Sequence, residues 1–363
     1  MSEAANERPD QAPERLPVSV LTGFLGSGKT TLLRHLLRQP AFSDTAVIIN
    51  EFGEIGLDHL LVESSNEDML LLASGCLCCT IRGDLIETLR RLYKRRAKGE
   101  IPSFRRVVIE TTGLADPAPI LHTLMQDPLL SDVYRLDGVI VTVDAVNAMD
   151  QLDRQMESVK QAAVADRIVL TKQDLNGDTA ALEARLGHLN PAALLLRAVD
   201  GRIEAASLFD AGLYNPATKS LDVQRWLHEE AYADREPRAK EHGHKHEHDH
   251  GHDHGRLDRN RHDDHIRAFC LRYETPLDWA KFADWIEMLI SLHGANLLRI
   301  KGILNVEGNE GPVAIHGVQH LFHPPVELPA WPDNDRASRL VFITRDIEEA
   351  TLAKGLAAFQ AGA

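Results

Sequence analysis

Between residue 16 and about residue 198, short apolar runs alternate with helical patterns. Runs at 17–22, 45–50, 106–110, 138–143, 167–170 and 193–196 predict strands. Several of them (VVI, VIVTV, RIVL) are β-branched without polar alternation, as in strands buried on both faces. Stretches at 30–38 and 84–98 predict the helices that cross between them. A βαβα order of this kind implies an α/β fold, a doubly wound and mostly parallel sheet.

The pattern changes twice. Residues 1–15 are polar and contain proline, with no apolar segment of the signal-peptide kind, and are expected to be disordered. From 229 to 265 the chain alternates His, Asp, Glu, Lys and Gly, too polar to pack, and reads as a disordered linker. Order resumes at 266. A strand (IRAFCLRY), a helix over 277–292 and a strand (LLRIKGILNV) come first. Two short strands around 313–315 and 318–322, a strand (RLVFIT) and a final helix follow. The expected organisation is a doubly wound α/β domain over 16–228 and a smaller α+β domain over 266–363.

The 363 residues suffice for two cores, and the net charge of −14 argues against nucleic acid as the main partner. No run of about 18 apolar residues exists to span a bilayer. The expected location is the cytoplasm. Of four cysteines, three crowd together at Cys76, Cys78 and Cys79, which favours metal or redox chemistry over a disulfide framework.

Gly23 to Thr30 reads GFLGSGKT, directly after a predicted strand and opening a helix, and fits the phosphate-loop pattern G-x-x-x-x-G-K-[ST]. Gly23, Gly26, Ser27 and Gly28 let the backbone curl so that its N–H groups face phosphate oxygens. Lys29 is expected on the β- and γ-phosphates and the Thr30 hydroxyl on Mg²⁺, with Thr31 continuing the cradle. Glu110 ends the strand of RRVVIETTGLADP, where an acid near Mg²⁺ or the attacking water is needed, and the Gly113 N–H is placed to sense the γ-phosphate. RIVLTKQD sets Thr171, Lys172 and Asp174 after another buried strand. This resembles the guanine-reading Asn-Lys-x-Asp, with Thr171 in place of Asn. The aspartate accepts from guanine N1–H and the 2-amino group, which adenine lacks. These features point to GTP as the nucleotide.

Cys76, Cys78 and Cys79 form C-x-C-C. In an extended segment Cys76 and Cys78 share one side, and soft thiolates at this spacing suit Zn²⁺, Co²⁺ or Cu⁺. Three local thiols leave a fourth position for water, a carboxylate or a client, as suits a metal that is to be passed on. In NEFGEIGLD, Glu51 and Glu54 are candidates for the metal shell or for Mg²⁺. In HGHKHEHDHGHDHG, His242, His244, His246, His248, His250, His252 and His254 offer weak, geometrically loose metal sites. Cys270 reads as a core residue.

Together GFLGSGKTT, NEFGEIGLD, GCLCC, ETTGLADP, TKQD, the His-rich insertion and RIKGIL resemble the CobW family of metal-handling GTPases, relatives of the nickel-insertion GTPases of urease and hydrogenase. The resemblance spans nearly the whole chain. It implies a GTPase domain with weak intrinsic hydrolysis, metal held by the C-x-C-C, zinc or cobalt as that metal, and delivery to a metal-requiring client protein. A nucleotide-dependent homodimer is a further expectation. A metal store regulated by nucleotide, and a P-loop kinase or ATPase with a structural zinc, are the competing readings.

Overall fold

The computed structural model describes residues 15–49, 61–64, 69–72, 77–80, 85–175, 177–209 and 265–362. Two sheets organise them. The first holds β1 (Leu16–Thr22), β2 (Thr45–Ile49), β3 (Leu61–Ser64), β4 (Met69–Leu72), β5 (Leu77–Thr80), β6 (Arg106–Glu110), β7 (Tyr134–Asp144), β8 (Arg167–Thr171) and β9 (Leu194–Arg197). Their order is β3-β4-β5-β2-β6-β1-β7-β8-β9. From β5 to β9 every pairing is parallel, and β3 and β4 add an antiparallel edge.

The parallel strands bury both faces, and their side chains separate with period two. Val18, Val20, Ala46 and Ile48 face a core shared with Leu89 and Leu92 of α2 (Leu85–Ala97) and Leu121 and Leu124 of α3 (Ala118–Gln126). Val159 and Ala162 of α6 (Met156–Val164) and Leu182 and Leu186 of α7 (Ala180–Leu189) complete it. Leu21, Val47 and Ile49 face the other way, onto Leu32, Leu33 and Leu36 of α1 (Lys29–Leu36). Two short helices, α4 (Pro128–Val133) and α5 (Ala148–Arg154), bracket β7.

The second sheet is antiparallel, β10-β15-β11-β12-β13 with β14 beside β12. Its strands are β10 (Ile266–Tyr273), β11 (Leu297–Leu304), β12 (Val313–Val318), β13 (Leu321–Phe322), β14 (Val326–Glu327) and β15 (Ser338–Arg345). One face packs Phe269, Ile300, Leu340 and Phe342 on α8 (Trp279–His293) and α9 (Glu349–Ala361), through Trp285, Leu352 and Leu356. The opposite face adds Ile266, Leu298, Val318, Leu321 and Ile343 to the core under the first sheet. The two sheets therefore share apolar contacts rather than meeting across water.

A charged knot sits in that seam. Asp166, just before β8, accepts from Arg299 Nη2 and Lys301 Nζ of β11, each at 2.5 Å, and from the Val139 amide at 2.9 Å. All three side chains are buried. Burial alone would raise the Asp166 carboxyl, but the two cations hold it far below the carboxylate range. Lys301 is lowered to about 8, because burial and the neighbouring Arg299 outweigh its share of one carboxylate. Burial and Arg299 also keep the buried His316 well below its ordinary value.

The turn between β12 and β13 departs from expectation. The sequence pattern places the break near His316 and Gly317, yet both lie in β12 and the chain turns at Gln319 and His320. Gly317 serves packing instead: a Cβ there would approach the Phe322 ring to 2.9 Å.

Candidate nucleotide and metal site

The order of strands places β1 centrally, with its successors leaving to both sides, and open α/β sheets bind ligands at the carboxyl ends beside such a strand. The candidate residues collect there. Gly23 follows β1 at φ +141°, and a Cβ would lie 2.4 Å from the Thr142 carbonyl on β7, so only glycine fits against that strand. Ser27 and Thr142 hydroxyls meet at 2.6 Å. Lys29, the first residue of α1, is buried and donates to the carbonyls of Gly23 (2.8 Å) and Phe24 (3.2 Å). Gly26 and Gly28 adopt positive φ, and Thr31 continues α1.

Glu110 ends β6 opposite Leu21 of β1 and is fully buried. The Thr30 hydroxyl donates to its Oε1 at 3.3 Å. A hydroxyl and a carboxylate side by side at the phosphate loop are the hard oxygen donors Mg²⁺ takes together with phosphate oxygens. Beyond Glu110, Gly113 lies against the loop so closely that a Cβ would sit 2.7 Å from the Leu25 nitrogen.

The Thr-Lys-x-Asp turn is braced to this cradle. The Thr171 hydroxyl lies 2.7 Å from the Ser27 carbonyl and 3.2 Å from that of Val143, so the residue replacing Asn ties β8 to the phosphate loop. Lys172 takes φ +57° and donates to Asp144 Oδ2 at 2.8 Å. Asp174 is exposed in the short 3-10 turn Gln173–Leu175.

Asp144 itself escaped the sequence reading. It ends β7 as Glu110 ends β6, a lone acid closing an apolar strand, and that signal could have found it. Burial works to raise its carboxyl, but Lys172, Asn147 and the Val146 amide outweigh burial and hold it below its ordinary value. Asp116 escaped for another reason: its side-chain partners, Lys160 and Gln319, are distant in sequence. It accepts from the Ala118 amide (3.0 Å) and Lys160 (2.9 Å), which overcome burial and keep its carboxyl low.

For the metal, Cys78 and Cys79 lie on β5, opposite Val47 and Ile48 of β2. Cys76, Glu51, Glu54 and the seven histidines from His242 to His254 lie outside the described residues. Among the described residues, no group of three or more His, Cys, Asp or Glu is arranged to hold a metal ion. Among them also, no helix is long and apolar enough to cross a membrane.

A phosphate loop at the switch point of a parallel sheet, a buried acid beside its threonine and a braced Thr-Lys-x-Asp turn define a P-loop GTPase. Residues 17–197 match the CobW/HypB/UreG nucleotide-binding domain, and residues 266–360 match the cobalamin synthesis protein cobW C-terminal domain. The chain belongs to the CobW family. It is 33% identical over 334 residues to the zinc chaperone YjiA of Escherichia coli, covering 92% of this chain and 95% of the relative. It is 28% identical to the zinc chaperone CobW of Sinorhizobium, over 95% and 97% of the two chains. The crystal structure of Zn(II)-bound YjiA GTPase from E. coli superposes with a TM-score of 0.72 at 30% identity, covering 95% of this chain and 99% of that one.

Proposed function

We propose that this GTPase is a zinc metallochaperone, in which GTP governs when the metal is held and when it passes to a client protein. The observation that carries this reading is a register. Cys79 pairs with Ile48 of β2, Ile48 pairs with Ile109 of β6, and Glu110 is the next residue. Strands lie about 4.8 Å apart, so the cysteine strand and the strand bearing Glu110 are separated by about 10 Å. A loop rearrangement at the γ-phosphate is thus two strands from the strand that carries Cys78 and Cys79. Cys76, Cys78 and Cys79 are the proposed metal ligands, joined by Glu54, and the His242–His254 tract gathers metal weakly. Lys29, Thr30 and Glu110 serve phosphate and Mg²⁺, Gly113 senses the γ-phosphate, and Lys172 and Asp174 read guanine. Zinc is favoured over cobalt because the relatives are named zinc chaperones and one carries Zn(II) in its crystal structure.

The test is metal affinity measured with competing chelators, first with a non-hydrolysable GTP analogue and then with GDP. Zn²⁺ should bind at least about fivefold tighter with the analogue, and linkage requires Zn²⁺ to tighten the analogue equally. Cys78→Ser should remove the tight site and leave nucleotide binding in place. Affinities equal within about twofold, or Co²⁺ alone showing the coupling, would sink the proposal.

A further inference from the structure

The segment joining β6 to α3 is held from three directions. In front, Gly113 rests on Leu25 of the phosphate loop. From behind, the buried Gln161 of α6 donates through Nε2 to the carbonyls of Gly113 (3.3 Å) and Ala115 (3.0 Å). At the far end, Asp116 Oδ2 accepts from Lys160 at 2.9 Å and from Gln319 Nε2 at 3.4 Å. Gln319 lies in the turn between β12 and β13 of the second sheet, 203 residues away.

Its backbone makes that contact more telling. Gln319 adopts φ +53°, the left-handed region that glycine or asparagine enters more readily. The turn is fixed in place, its amide bonded to the Leu297 carbonyl at 2.8 Å. The adjacent His320 ring fills the space beside Gly294, where a Cβ would meet it at 2.3 Å. A position suited to a small residue thus carries a long amide that reaches the nucleotide-sensing loop. Retained backbone strain of this kind points toward function.

We propose that Gln319 is a positioning residue for GTP hydrolysis, by which the C-terminal domain holds the Gly113–Asp116 loop against the phosphate site. It acts through Asp116 and touches no nucleotide. Loosening that anchor spreads the loop over arrangements in which Gly113 is not aligned, so turnover falls while the phosphate and base contacts that set GTP binding persist.

The decisive variant is Gln319→Gly, which fits the turn and deletes the reach. Hydrolysis by the full chain should fall about threefold or more in kcat, with KM for GTP changed less than about twofold. Its melting temperature should be unchanged or higher, since glycine adopts positive φ without strain. Asp116→Ala removes the acceptor for Lys160 and Gln319 together with that for the Ala118 amide, and should lower kcat further. Adding Gln319→Gly to it should cost nothing more, as for two residues in one contact. A kcat for Gln319→Gly within about 1.5-fold of the parent overturns the proposal, as do effects of the two substitutions that simply multiply. A fall in melting temperature without loss of kcat assigns the turn a folding role alone, and also overturns it.

Discussion

The nucleotide end of the first sheet and the seam beneath it both bury polar groups, but they satisfy them differently. At the nucleotide end the contacts run largely between hydroxyls and from side chains to carbonyls: Ser27 to Thr142, Thr171 to Ser27, Lys29 to Gly23 and Phe24. In the seam, one carboxylate is shared by two buried cations. A typical hydrogen bond contributes about 0.5–1.5 kcal/mol net, whereas removing one member of a buried ion pair costs about 3–5 kcal/mol. The first kind of contact can be exchanged for a phosphate oxygen at small cost. The second cannot be given up without losing the fold, so the region that must respond to a ligand is built from one and the region that must not is built from the other.

The comparison fails or sharpens by measurement. The largest effect should come from Asp166→Ala, which leaves Arg299 and Lys301 facing each other without an anion. We expect about 3–5 kcal/mol of lost stability by chemical denaturation. A loss below about 1 kcal/mol would show the seam to be as tolerant as the nucleotide end. Next comes Lys29→Ala. Removing the charge proposed to meet the transferring phosphoryl group should lower hydrolysis about 100- to 1000-fold, about 2.7–4 kcal/mol in barrier. Its stability should stay close to that of the parent, and unfolding of the variant under the same conditions would place Lys29 with the structural group instead.

The smallest effect concerns pH. Burial and Arg299 depress His316, while burial, Arg15 and Arg299 depress His323 to about 4. In the unfolded chain both titrate near 6.5. Below about 6.5 the unfolded state therefore takes up protons that the folded state refuses, and stability falls as pH falls. The two rings face each other at 5.2 Å, and Arg299, Lys301, Asp166 and Arg15 also act on them. Unfolding free energy measured from pH 7.5 down to 5 should decline, and less steeply in His316→Gln. An equal slope in that variant would remove His316 from the account.

The central strands were legible because continuous β-branched runs have few other uses, and the phosphate loop because its glycines and lysine keep fixed spacing. The edge strands β3, β4 and β5 were not anticipated as strands. Each is four residues long, and the three together hold just two β-branched residues, Val62 and Thr80, too few to mark a strand. The β12–β13 turn misled for a related reason: Gly317 offered the usual turn signal, while the turn uses Gln319, which offers none. RIKGIL was legible as a motif, yet why its Arg299 and Lys301 are charged emerges only when Asp166, more than a hundred residues earlier, is found between them. No local pattern encodes a partner at that separation.

Five apolar residues of the second sheet (Ile266, Leu298, Val318, Leu321 and Ile343) belong to the core beneath the first. The described residues break off at Phe209 and resume at His265. A chain severed between the two sheets would thus yield two pieces whose complementary faces remain together, so the nicked protein should migrate as one particle until denaturant separates it.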